Sequence, residues 1–176
     1  MLNSKPNNKN YNQGLYIPKN TDKVLKLNNQ GGIYFRSSWE KKFMIYLDHN
    51  ERIVSWGCEM IKIPYQQIHN VDGVPTIKNH IYYPDFYYKM NMGNDTFKEV
   101  IAEIKPGKEY KTVMDIKNGS LSIPEKASIK KLKNLEYDIK TGNKNVQKWE
   151  TMIEWCNKKG YSFILITEDV LKRINC

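Results

Sequence analysis

Residues 81–105 constrain the fold more than any other part of the chain. Residues 81–90 are rich in aromatics and read as a strand, 91–96 with Gly93 read as a turn, and 97–105 read as a second strand closed by Pro106 and Gly107. Upstream, 53–67 is extended and ends near Pro64, and 69–75 holds Asp72 followed by Gly73, a hairpin turn signal. These segments predict a three-stranded antiparallel meander. Because side chains alternate along a strand, Val100, Ala102 and Ile104 fall on one face, while Glu99, Ile101, Glu103 and Lys105 fall on the other.

Helices are expected on both sides of the meander. One spans 36–49, capped by Ser37 or Ser38, with Trp39, Phe43, Met44, Tyr46 and Leu47 at helical spacing. After a loop at 108–124, a helix over 125–140 turns Ile129, Leu132, Leu135 and Ile139 inward. A further helix over 143–159 turns in Val146, Trp149, Ile153 and Cys156, and Gly160 stops it. A buried strand at 161–167 and a short helix at 168–174 close the chain. The order predicts an α/β or α+β domain with a mixed central sheet flanked by helices. With 176 residues and 40% hydrophobic content, the chain suits one domain at 31–176, preceded by an irregular basic arm at 1–30. That arm reads equally as a mobile tail or as a contact to a nucleic-acid backbone.

No apolar run approaches the roughly 18 residues of a membrane span, and the first residues lack the apolar stretch of a secretory signal. Cys58, Cys156 and Cys176 are widely spaced and form no CxxC, which argues against a disulfide framework or structural zinc and for an intracellular chain with reduced thiols. Lys+Arg outnumber Asp+Glu by 28 to 19, a net charge of +9 that suits a polyanionic partner such as a nucleic acid, or a soluble basic surface. Residues 105–159 contain 13 lysines and 7 acids; Lys126, Lys130, Lys131 and Lys133, with Lys140 and Lys144 beyond, line a DNA groove or form a solvated face. His49, His69 and His80 fit neither a ββα-metal nuclease nor a zinc site.

Three acids stand out. Glu40 shares its helical stripe with Phe43, Met44 and Leu47, so it needs a cation, a hydrogen-bond partner or a metal; a salt bridge with Arg36 one turn earlier is the ordinary answer. Asp85 follows Pro84 amid five aromatics, where a local turn is the ordinary answer. Glu103 and Lys105 share a strand face as a common E-x-K pair. The 18-residue spacing from Asp85 to Glu103 pairs them across the hairpin at 91–96, bringing two carboxylates and one lysine together. Such carboxylates repel unless a divalent cation lies between them, and oxygen ligands suit Mg²⁺ or Mn²⁺ better than zinc.

Pro84–Asp85 followed by Glu103–Ile104–Lys105, with Glu40 on a preceding helix, resembles the PD-(D/E)XK signature of restriction-endonuclease-like nucleases and their αβββαβ core, over roughly residues 34–169. The strings YFRSSWEKKFMIYLDHN, IVSWGCEMIKIPY, YYPDFYYK and IAEIKP, with QKWE and ITED later, are similar to the head completion nuclease family of large contractile-tailed phages and, more distantly, to TnsA-type transposon endonucleases. The resemblance implies a metal-dependent DNA endonuclease leaving a 5′-phosphate. It implies that Asp85 and Glu103 hold Mg²⁺ with the Ile104 carbonyl, and that Glu40 completes the shell directly or through water. It implies that Lys105 orients or helps deprotonate the attacking water, and that Gln147 comes near the scissile phosphate from a helix. It further implies trimming or nicking of phage DNA in head completion or packaging, head or portal proteins as partners, and a location in the infected host cytoplasm or the virion. Two alternatives go with it: a non-catalytic DNA-binding or structural head protein, and a transposase-type subunit that needs a partner.

Overall fold

The computed structural model describes residues 12–71, 74–122 and 126–174. Its centre is a four-stranded mixed sheet of β3 (Ile53–Cys58), β6 (Phe86–Gly93), β7 (Thr96–Ile104) and β8 (Ser162–Ile166), in that order. β6 runs antiparallel to β3 and β7, and β8 runs parallel to β7. One face is covered by α1 (Ser38–His49), whose Phe43, Met44 and Leu47 are buried against Trp56, Phe86 and Ala102, with α4 (Glu168–Arg173) contributing Leu171. The opposite face carries Ile101, packed with Met152 and Cys156 of α3 (Ile129–Lys159). With both faces covered, β7 is buried from Val100 through Ile104 rather than alternating in and out.

The meander is present with an insertion. The expected strand at 53–67 is two strands: at Glu59 the backbone takes a positive φ of 49° and turns out of the sheet, and β4 (Ile63–Val71) starts a separate two-stranded sheet with β5 (Val74–Tyr82). The β4–β5 register runs to the pair Val71–Val74; residues 72 and 73, the expected hairpin turn, lie outside the described residues. The expected strand at 81–90 likewise divides, because Pro84 has no N–H for a sheet ladder and is fully buried between β5 and β6.

The expected loop at 108–124 instead contains α2 (Gly107–Lys117), with Val113 fully buried. The two expected helices at 125–140 and 143–159 are one helix of 31 residues, α3, starting at an N-cap Ser128 whose hydroxyl accepts from Lys131 N–H. Gly142, which invites a break in a sequence reading, lies where α2 crosses: a Cβ there would lie 2.5 Å from Ile116 Cδ1. The inward stripe also moves. Ile129, Leu132 and Ile153 are exposed, Leu135, Ile139 and Val146 are half-buried, and the buried line is Gly142, Asn145, Trp149, Met152 and Cys156. Gly160 ends the helix in the left-handed region at φ 78°, as expected.

Of residues 1–30, the first 11 lie outside the described residues. Beyond them, β1 (Gly14–Tyr16) pairs antiparallel with β2 (Ile33–Phe35), and a single 3-10 turn covers Thr21–Lys23. Asp48, fully buried at the end of α1, fastens this segment by accepting from Tyr16 Oη at 2.6 Å, Lys19 N–H at 2.8 Å and Asn20 N–H at 2.9 Å. No helix among the described residues is long and apolar enough to cross a membrane. Cys58 and Cys156 are free thiols.

Candidate active site

The register Phe86↔Ala102 places Asp85, just before β6, opposite Glu103 near the end of β7. Asp85 N–H donates to Glu103 Oε2 at 3.3 Å, and Ile104 N–H donates to Asp85 Oδ2 at 2.8 Å. The Asp85 carbonyl accepts from Glu59 N–H at 3.1 Å, which pins the chain where Pro84 has ended the ladder. Glu103 is 2% exposed and meets Lys105 Nζ at 3.1 Å. Burying an ion pair to this degree costs solvation that the pair alone recovers poorly, so the arrangement is poor as a stabilising device and suited to a site that takes a further charged ligand.

The electrostatics agree. Burial, then the Glu103 charge, push the Asp85 carboxyl up to about 7, against Ile104 N–H and Lys105, which favour the charged form. Burial alone would lower the Lys105 ammonium, but Glu103 and Asp85 hold it above its ordinary range. Burial and Glu103 push the Tyr82 phenol up. Lys148 enters from α3, with Nζ 4.8 Å from the centre of the Tyr82 ring. Burial lowers its ammonium; Lys144 and Lys105 push the same way, and Glu103 and Asp85 oppose them. Two carboxylates and two lysines thus share one partly dry site.

Glu40 faces the same region but is engaged. Its Oε2 accepts from Arg36 N–H at 2.8 Å, its Oε1 accepts from Ser37 Oγ at 3.2 Å, and Ser37 Oγ in turn accepts from Glu40 N–H at 3.1 Å. This is a variant of the capping box, with the acid reaching one residue past the cap. The Arg36 guanidinium pairs with Glu59 at 2.7 Å, not with Glu40 as the sequence suggested. Glu40 and Asp85 both line a cleft of about 540 Å³, shared with Arg36, Cys58, Glu59 and Lys62. The Glu40 charge adds to the upward push on Asp85.

Among the described residues, no three His, Cys, Asp or Glu side chains stand close enough together to hold a metal ion. Asp85 and Glu103 make a two-carboxylate set, with the Ile104 carbonyl adjoining Glu103 in sequence. All-oxygen donors of this kind suit Mg²⁺, which is commonly held by one or two carboxylates plus waters and substrate phosphate.

The structure thus brings together Asp85, Glu103 and Lys105, places Glu40 across the cleft, and sends Gln147 elsewhere: its Oε1 accepts from Ile68 N–H of β4 at 3.2 Å. The group that α3 delivers is Lys148, one residue on, which the sequence reading missed. The signal was the helical phase. The buried line through Asn145, Trp149, Met152 and Cys156 is turned by roughly 50° from the expected stripe, toward Lys148. His49 and His80 take no part: His49 Nδ1 contacts the Ile45 carbonyl, and His80 stacks on Tyr65.

A family model described as TnsA-like endonuclease N terminal matches residues 50–168. The head completion nuclease of Enterobacteria phage T4 is 34% identical over 161 residues, which span 92% of this chain and 94% of that protein. No solved structure matches the chain.

Proposed function

The chain belongs to the TnsA-like endonuclease family, in the company of a phage head completion nuclease, and from that premise we propose that it is a divalent-metal-dependent DNA endonuclease acting in phage head completion or DNA packaging. The observation that carries the reading is the placement of Asp85 opposite Glu103, with Lys105 paired to Glu103 at 3.1 Å and Lys148, over the Tyr82 ring, within electrostatic reach of both carboxylates.

Asp85, Glu103 and the Ile104 carbonyl are the residues to hold Mg²⁺, with Mn²⁺ able to substitute. When bound, the ion supplies Lewis-acid polarisation of the phosphoryl oxygen and a lowered pKa for its water. Glu40 takes part through water, since its oxygens serve the start of α1. Lys105, anchored on Glu103, orients the attacking water and offers its ammonium to the phosphate. Lys148 adds a second cation beside the scissile phosphate, stabilising the charge that grows on the phosphoryl oxygens. The exposed Lys126, Lys130, Lys131, Lys133, Lys140 and Lys144 extend the positive surface along the backbone of the DNA. Head or portal proteins as partners, and a place in the infected cytoplasm or the virion, follow from the same reading.

Plasmid nicking with Mg²⁺ tests it, comparing the wild type with Asp85→Ala and Lys105→Ala. The wild type is expected to convert supercoiled to open-circular DNA, and both variants to lose at least two orders of magnitude. Equal cutting by all three would identify a contaminant. Failure of every preparation across metals and substrates would favour a non-catalytic head protein, unless added phage lysate restored activity, as a partner-dependent subunit requires.

A further inference from the structure

The inserted ribbon β4–β5 is not part of the central sheet, and the catalytic chemistry described above does not use it. Nine residues per strand give it a length of about 30 Å. Its base is fixed: Ile63, Tyr65 and Tyr82 are buried with Met152 and Cys156, and Gln147 holds the Ile68 amide. Its two faces differ. The face carrying Tyr65 lies on α3, whereas the register pairs Pro64–Ile81, Gln66–Asn79 and Ile68–Ile77 form an opposite face that is exposed throughout. Ile68 and Ile77 are each 61% exposed, flanking the amide pair, in which Gln66 Nε2 lies 3.4 Å from Asn79 Oδ1.

A ribbon of two strands fits the major groove, which is about 12 Å wide. Charge permits the approach: the described residues of β4 and β5 hold Lys78 and no acid, and Lys62 immediately precedes β4. The chemistry of the face suits base edges, because Gln and Asn make paired hydrogen bonds to adenine and aliphatic groups meet the thymine methyl. The ribbon also runs straight into the catalytic site. Asn79 precedes Asp85 by six residues, at most about 20 Å of chain, or roughly six base pairs.

We propose that the β4–β5 ribbon lies in the major groove of the bound duplex and reads base edges through Gln66 and Asn79 within about six base pairs of the cut. This rests on the endonuclease reading and adds to it a sequence preference that phosphate contacts alone do not give.

The test has two readouts. In the first, wild-type protein without divalent ion is footprinted on mixed-sequence duplex DNA with dimethyl sulfate, which methylates guanine N7 in the major groove and adenine N3 in the minor groove. Protection of N7 is expected on one side of the binding site. In the second, cut positions made with Mg²⁺ on a random library are sequenced for the wild type and the Gln66→Ala/Asn79→Ala double variant. The wild type is expected to favour A·T pairs about tenfold at a fixed offset of six base pairs or fewer, and the double variant to flatten that preference. Both side chains are exposed, and an unchanged melting temperature confirms folding. DNA binding without N7 protection, or a base preference identical in the double variant, overturns the proposal and makes the apolar Ile68–Ile77 face a protein contact. Absence of any DNA binding overturns the endonuclease reading and the ribbon proposal together, which separates the two failures.

Discussion

Replacing Asp85 by asparagine is expected to abolish cleavage and, at the same time, to stabilise the metal-free protein at alkaline pH. The Asp85 carboxyl is held at about 7 in the fold against an ordinary 3.8, mainly by burial and then by Glu103. The folded chain therefore binds this proton more tightly than the unfolded chain does. Stability falls as pH rises from about 4 to 7, and the full penalty stands above 7. A shift of about 3 units at 1.36 kcal/mol each is about 4 kcal/mol, and relaxation of the Asp85–Glu103 pair reduces that to about 2–4 kcal/mol. Asparagine keeps the shape without the charge, and its Oδ1 can still accept from Ile104 N–H, now 2.8 Å from Asp85 Oδ2. Melting by circular dichroism in EDTA at pH 4, 6 and 8 measures the effect. Asp85→Asn is expected to melt about 4–16 °C above the wild type at pH 8, with the gap closing toward pH 4. Added Mg²⁺ should narrow the gap at pH 8 by stabilising the wild type alone. A variant that melts at or below the wild type at pH 8, or a gap that is constant across pH, would refute the picture of a carboxylate pair kept under electrostatic tension.

Three further outcomes are expected. Asp48→Ala strands the Lys19 and Asn20 amides, each at a cost of about 1–3 kcal/mol, and removes the hydrogen bond from the Tyr16 hydroxyl; a loss of about 3 kcal/mol in urea unfolding is expected, with early proteolysis near β1. Burial pushes the Asp48 carboxyl up, but hydrogen bonds from Tyr16, Lys19 and Asn20 outweigh it and hold it low, so its contribution is present above about pH 4 and fades as acid titrates it below that. Lys148→Met should slow single-turnover nicking about 10–150-fold, the worth of one charge-assisted contact, while Gln147→Ala has a smaller effect. Gly142→Leu should cost about 1–3 kcal/mol by forcing α2 from α3, whereas Gly142→Ala should be near neutral, because the Ile116 methyl can swing aside and helix propensity improves.

The pairing of Asp85 with Glu103 was legible because a strand has a period of two and the turn between the strands is short, so the count of 18 residues translates directly into register. The places where strands leave the sheet were not. Periodicity runs unbroken through Glu59 and through Pro84, and only the pairing of β4 with β5 shows that the chain detours there. α2 was obscured by polar residues, although Tyr110, Val113 and Met114 sit at helical spacing. The join at Gly142 was misread because glycine is usually a breaker, and only the crossing with Ile116 gives it another reason. Lys148 was missed by one position because a helix turns by about 100° per residue, so a modest error in the buried line moves a different side chain into the cleft. Glu40 was matched to the right residue but the wrong group for a similar reason: the sequence shows its place one turn after Arg36, but not that the Arg36 amide, rather than the guanidinium, occupies it.

A helix of 31 residues measures about 46 Å end to end, yet its buried positions all lie from Gly142 onward. Among the described residues, the opening turns hold no fully buried position: Ile129 and Tyr137 stand in solvent, Leu135 and Ile139 are half-buried, and a bridge from Lys108 to Asp138 at 2.6 Å ties the helix to α2. The helix is therefore graded in its resistance to opening. Amide protons over 129–138 should exchange on the timescale of local fraying, and those over 149–156 only with cooperative unfolding of the sheet that they cover.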